Sequence, residues 1–266
     1  MKNKIAILLI IILASILRLY ALDKFPAGLN ADEAAIGYNA YSLLETGKDE
    51  HSASWPLVFR SFDDYKPPLY FYLVLPFVKT LGLNVWSVRL PSAILGVASV
   101  YLIYLLTNQL FKKKGVGLLT ALLLTISPWH LHFSRGGWEA NSATFFLLLG
   151  VWAFIKALKE SKYFFLSSTS LVASLYAYHS MRLVAPLVVL SLLYIYRSKI
   201  KIDKHMVISA ILGIVLFLPV GKQMFGSEGT SRFSGVSVFS DEGPLWEALE
   251  RRRQSPNPNS ISTRLI

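Results

Sequence analysis

Long apolar runs alternate with short charged or turn-forming breaks along the first two hundred or so positions. Runs from Ile5 to Leu22, Trp86 to Phe111, Val116 to Phe133, Ser142 to Leu158, Tyr163 to Tyr178, Leu183 to Tyr196 and Met206 to Val220 come near the ~20 apolar residues a helix needs to cross a hydrocarbon core of about 30 Å. The pattern predicts seven spans in an all-α, polytopic transmembrane helix bundle, because helices satisfy their own backbone groups in lipid. Lys2 and Lys4 precede the first run as in a signal peptide, but the run is long and no small-x-small cleavage site follows it. It reads as an uncleaved anchor.

Two further segments have helical periodicity without the character of a span. Ala34 to Leu44 places Ile36, Ala40, Leu43 and Leu44 on one face, and Asn30 or Asp32 can cap its start. Pro67 to Leu83 begins with two prolines and is aromatic at Tyr70, Phe71 and Tyr72. Counting it as a span would put Lys112, Lys113 and Lys114 outside, against the bias of basic residues toward the cytoplasm. The long external first loop, Asp23 to Lys66, is therefore expected to carry interfacial amphipathic helices, with Ala34 to Leu44 lying on the membrane and Pro67 to Leu83, just after the loop, interfacial or re-entrant.

Composition fixes the class. The 266 residues are 53% apolar and 16% charged with a mean hydropathy of +0.46, which suits a membrane protein and leaves no room for a large soluble catalytic domain. There is no cysteine, which excludes disulfides, thiolate nucleophiles and thiolate metal sites. The net charge of +11 reflects topology rather than nucleic-acid binding. With the N-terminus inside, the inner segments hold 12 cations against Glu160 and Asp203, and the other 14 of the 16 carboxylates fall outside. The polar chemistry is therefore expected on the external face of a multi-pass cell-membrane protein.

From about residue 223 the chain turns polar and glycine-rich and runs through Arg251, Arg252 and Arg253 into a Pro, Asn and Ser string. We expect a transmembrane module over 1–222 and the start of an external polar segment, cut short, over 223–266.

Candidate chemistry gathers in three external segments. Asp32 and Glu33 are adjacent carboxylates at a membrane surface, able to act as a general base or to bind a divalent cation, or simply to open a helix. Asp63, Asp64 and Lys66 precede Pro67-Pro68, where a lysine can reach an anionic head group and otherwise marks a solvated turn. His132, Arg135 and Glu139 bracket the end of the third run, and His179 and Arg182 the turn after the fifth. An Arg135–Glu139 ion pair and a snorkelling Arg182 are the bland readings. Lys66, Arg135 and Arg182 together suggest a site for a phosphate carried on a lipid, since arginine matches phosphate bidentately.

Asn30-Ala31-Asp32-Glu33 in the first loop, Lys66-Pro67-Pro68-Leu69-Tyr70, Arg89-Leu90-Pro91-Ser92-Ala93 and Phe133-Ser134-Arg135 together resemble the polytopic C-class glycosyltransferases. The branch most similar contains the dolichyl-phosphate-mannose protein mannosyltransferases and the lipid A aminoarabinose transferase. The resemblance covers roughly residues 1 to 220. It implies inverting transfer of a sugar from a polyprenyl-phosphate donor to an unidentified acceptor, whether protein, lipid or glycan, on the external face. Asp32 is then the candidate base, or a metal ligand, with Glu33 beside it. Lys66 and Arg135 are expected at the donor phosphate, with Arg182 or His179 as further contacts. Glu139 stands near where relatives often have a second acid. Apart from a divalent ion no cofactor is implied. The remaining function classes are a transporter or lipid flippase, disfavoured by the absence of an inverted repeat, and a non-catalytic homologue.

Overall fold

A computed structural model describes residues 2–61 and 64–224; Asp63 and the arginine-rich tail lie outside the described residues. Helix α1 spans Lys2–Leu19, α2 Ala31–Thr46, α3 Leu69–Leu81, α4 Val85–Phe111, α5 Lys114–Ile126, α6 Pro128–Arg135, α7 Glu139–Ala157, α8 Tyr163–Ala177, α9 Met181–Tyr196 and α10 Lys204–Met224. Among the described residues the only sheet is a hairpin of β1, Phe59–Ser61, and β2, Asp64–Lys66, paired antiparallel. The all-α bundle expected from the sequence is what the chain forms.

Among the described residues, helices α4, α7 and α10 are long and apolar enough to cross a membrane, and the bent pair α5 and α6 makes up to four if it is one span. The expected spans Tyr163 to Tyr178 and Leu183 to Tyr196 are the shorter apolar helices α8 and α9, with 15 and 16 residues. Helix α1 carries charges at Lys4 and Arg18 within its 18 residues. Rows of exposed apolar side chains, such as Leu8, Ile12 and Ile16 on α1 and Leu183, Leu187 and Leu190 on α9, provide the surface that lipid would cover.

The third expected span, Val116 to Phe133, is broken. Its two halves meet at 59° where Pro128 opens α6. Proline has no N–H, so the carbonyl four residues back, at Leu124, loses its helical partner. Arg18, fully buried on α1, donates there instead at 3.2 Å and to the Thr125 carbonyl at 3.4 Å. The same guanidinium lies 2.8 Å from His130 Nδ1. Because arginine only donates, Nδ1 accepts and the imidazole proton sits on Nε2. Helix α4 comes close enough to α6 at this level that a Cβ on Gly96 would lie 2.4 Å from Ser134 Cβ.

The first loop is a small folded unit, and its helices pack on each other. Ile36, Ala40 and Leu43 of α2, Tyr70, Phe71, Val74 and Val78 of α3, Phe59 of β1 and Val88 of α4 form one buried cluster. Phe59 and Phe71 stack with centroids 4.0 Å apart, and the buried Tyr70 hydroxyl donates to the Val88 carbonyl at 2.8 Å. The amphipathic face of α2 is thus spent on α3 and the hairpin.

Candidate active site

The site begins with the cap of α2. Asn30, not Asp32, is the N-cap: its side-chain oxygen accepts from Glu33 N–H at 2.8 Å, and the Glu33 carboxylate accepts from Asn30 N–H at 3.1 Å. This reciprocal capping box leaves Asp32 out of the cap. Since consecutive helical residues point about 100° apart, fixing Glu33 inward turns Asp32 outward.

Glu33 is 2% exposed and its carboxylate is fully engaged. Oε1 accepts from Arg89 Nε at 2.7 Å and from Gly137 N–H at 2.8 Å. Oε2 accepts from Arg89 Nη2 at 3.0 Å and from Asn30 N–H at 3.1 Å. Arg89, near the start of α4 and itself fully buried, spends its remaining donors on the carbonyls of Leu22 at 3.0 Å, Pro26 at 2.8 Å and Gly28. All five N–H bonds of the guanidinium and all four acceptor positions of the carboxylate therefore have partners. Burial pushes the Glu33 carboxyl up, but the Arg89 guanidinium and the N–H groups of Gly137 and Asn30 outweigh it and hold the group below its ordinary value. Gly137 belongs here because a Cβ on it would crowd Val88 at 3.1 Å and Glu33 itself at 3.2 Å.

Asp32 faces the other way. Its side chain is 43% exposed and forms an ion pair with Lys66, whose side chain is only 7% exposed. The hairpin makes this pair possible by folding the chain back so that β2 ends at Lys66, with Pro67 and Pro68 buried behind it. The turn between α8 and α9 closes on the same strand: His179 Nε2 lies 2.7 Å from the Tyr65 carbonyl, so that nitrogen carries the proton. Arg182, three residues later and half-buried in the first turn of α9, belongs to this side of the molecule. Asp32, Lys66 and the His179–Arg182 turn are thus linked through β2.

The other residues expected in the site are placed differently. Arg135 ends α6, where Nη1 donates to the Leu17 carbonyl at 2.6 Å and Nη2 to those of Tyr20, Ala21 and Phe25 at 2.9, 3.3 and 2.9 Å. It closes the C-terminal end of α1 as Arg18 of α1 covers the end of α5. His132 is exposed in a ring cluster with Phe133 and Trp138, and half-buried Glu139 opens α7. Asp64 begins β2 opposite Ser61. Among the described residues no three histidine or acidic side chains gather into a metal-binding group, and Asp32 Oδ1 is bonded to the Lys66 ammonium. The described donor set does not fit a dedicated cation cage.

Arg89 stands in the sequence only as part of a motif, and Arg18 and His130 are not among the candidate residues it offers. A charged residue inside an apolar run is the signal that would have found Arg18.

Residues 65–221 match the family model for dolichyl-phosphate-mannose-protein mannosyltransferases. The chain belongs to that family. It is 26% identical over 218 residues to a Bacillus subtilis (strain 168) protein named "Putative mannosyltransferase YycA", covering 79% of this chain and 30% of that one. It is 27% identical over 164 residues to the same organism's "Putative mannosyltransferase YkcB", covering 59% of this chain and 21% of the relative. The chain thus spans less than a third of the length of these curated relatives. The family match begins at Tyr65, so it takes in Lys66, Arg89 and Arg182, whereas Asp32 and Glu33 lie ahead of it.

Proposed function

We propose that the protein is a membrane glycosyltransferase module that moves a sugar from a polyprenyl-phosphate donor to an acceptor hydroxyl on the external face of the cell membrane, with inversion. The observation that carries this reading is the Asp32–Lys66 pair, a half-exposed carboxylate and a cation held on the open side of a fully satisfied Glu33–Arg89 lock. Family membership and the names of the relatives support the reaction class.

Asp32 takes the proton of the acceptor hydroxyl as its oxygen attacks the anomeric carbon from the face opposite the phosphate. The bond between that carbon and the phosphate oxygen breaks with its electron pair on the oxygen, so the leaving polyprenyl phosphate gains one negative charge. Lys66 and Arg182 supply cations for that charge. In the resting site Lys66 is bonded to Asp32, and the arriving phosphate competes for the ammonium. Donor binding then frees the carboxylate to act as base at the moment the donor is in place. Arg135, with its Nη atoms on the carbonyls closing α1, contributes by holding the helix rather than the phosphate.

The test is transfer of labelled sugar from a set of polyprenyl-phosphate hexoses and pentoses in proteoliposomes, with binding of the donor measured separately. Transfer that needs Asp32, together with donor binding that needs Lys66, supports the reading. Donor binding that is indifferent to both Lys66→Ala and Arg182→Ala overturns it.

A further inference from the structure

A groove of about 700 Å³ runs between α1 and α4, on residues for which the sugar-transfer reading has no use. Leu8 and Leu19 of α1 and Ile94 and Tyr101 of α4 line it, Ser15 lies along its length, and Lys4 is at one end. The Ser15 hydroxyl is spent on the Ile11 carbonyl at 2.9 Å, so the walls are apolar in practice. Leu8, Ile94 and Tyr101 are 57%, 46% and 48% exposed. From Lys4 to Leu19 the groove follows roughly 22 Å of helix at 1.5 Å per residue.

The charge lies at the end that faces away from the Asp32 site. Arg89, which holds Glu33 beside Asp32, is on the same helix as Ile94 and about one and a half turns from it, so the Leu19–Ile94 end is the one near the lock. Lys4 marks the opposite end, and among the described residues no carboxylate pairs with it. A polyprenyl donor with its phosphate at Lys66 would leave Lys4 without a partner. A second copy of the chain packed by a two-fold axis along the membrane normal would bring Lys4 to the level of its own equivalent, a like-charge contact.

We propose that this groove is a binding site for an anionic phospholipid of the leaflet at the N-terminal end of α1. One acyl chain lies along α1 and α4 and the phosphate rests on the Lys4 ammonium. Groove walls and acyl chain are equally apolar, so packing holds the chain and the ion contact selects the head group.

The probe is phosphatidylglycerol against phosphatidylcholine of the same chains, each mixed with the detergent-purified protein and counted by native mass spectrometry. Phosphatidylglycerol is expected to be retained in preference. Lys4→Gln, a change at an exposed position, should reduce that preference about fivefold, while Lys4→Arg preserves it. Ala98→Trp, which fills the groove, should reduce retention of both lipids. Equal retention of the two lipids by the parent protein overturns the proposal, as does an unchanged preference in Lys4→Gln. Displacement of phosphatidylglycerol by polyprenyl phosphate would assign the groove to the donor tail and overturn it as well.

Discussion

Asp32 and Glu33 are chemically similar neighbours in the first turn of one helix, yet they occupy opposite environments. Glu33 is buried, bidentate with Arg89, and joined to the turn at Gly137 and to the chain before α2. Asp32 is 43% exposed and held by the single, nearly buried ammonium of Lys66. A carboxylate whose every acceptor position is occupied has no face to offer a substrate, and removing it strands a buried guanidinium. A half-exposed carboxylate bonded to one ammonium keeps acceptor positions open to solvent and can change partner. Adjacency in sequence therefore separates structure from chemistry: one residue anchors the loop, and the other is presented by it.

The largest effect is expected at Arg89, on which the burial of Glu33 depends. Arg89→Ala leaves Glu33 as a buried carboxylate without its cation and takes the donor from the carbonyls of Leu22, Pro26 and Gly28, so we expect a loss of about 3–5 kcal/mol. It should read as a lower thermal midpoint in detergent and as protease sensitivity within the first loop. A midpoint within a degree or two of the parent would show that the lock does not hold the loop. Next in size is Lys66→Ala, which should weaken donor binding by about one to two decades, the worth of one charge-assisted contact of roughly 1.5–3 kcal/mol.

Arg135→Ala sharpens the contrast between anchoring and binding. It frees the carbonyls that close α1, and should lower stability by about 1–3 kcal/mol while leaving donor affinity within a factor of two or so of the parent in the folded fraction. A selective loss of donor affinity at unchanged stability would move Arg135 into the phosphate site.

The smallest effect is in pH. The Glu33 carboxyl is held below its ordinary value, so its contribution to stability is complete above the usual carboxylate pKa of about 4.3 and drains away as pH falls through the lower folded value. The difference in thermal midpoint between the parent and Glu33→Gln should therefore be constant from neutral pH to about 5 and narrow only below the usual carboxylate range. A difference that already narrows between pH 7 and 6 would contradict the depressed carboxyl.

What could be read from the sequence follows the distance between partners. The helix at Ala31–Thr46 and its cap were legible because Asn30 and Glu33 are a local pattern, although the pattern left Asn30 and Asp32 as alternatives. Apolar runs located the helices of the bundle. The Glu33–Arg89 pair, 56 residues apart, has no local signature, and neither does the folding of α2 against α3. Val116 to Phe133 reads as one apolar run because hydropathy ignores the missing N–H of Pro128, which breaks the helix and calls for Arg18. Arg135 illustrates the limit most clearly. An arginine at a helix end suits a phosphate, and only the fold shows that its Nη atoms meet four backbone carbonyls.

Whether Asp32 acts and Glu33 holds is decided by one paired measurement: thermal midpoint and rate of sugar transfer from a polyprenyl-phosphate donor, taken together on Asp32→Asn and Glu33→Gln. Asp32→Asn, which keeps an oxygen to accept from the Lys66 ammonium, should lower the midpoint less than Glu33→Gln does and lose about two to four decades of rate. Glu33→Gln loses midpoint, because an amide N–H then faces the Arg89 donors, and keeps transfer in whatever fraction remains folded. The reverse pattern, with Asp32→Asn active at the parental rate and Glu33→Gln folded but inert, would contradict it.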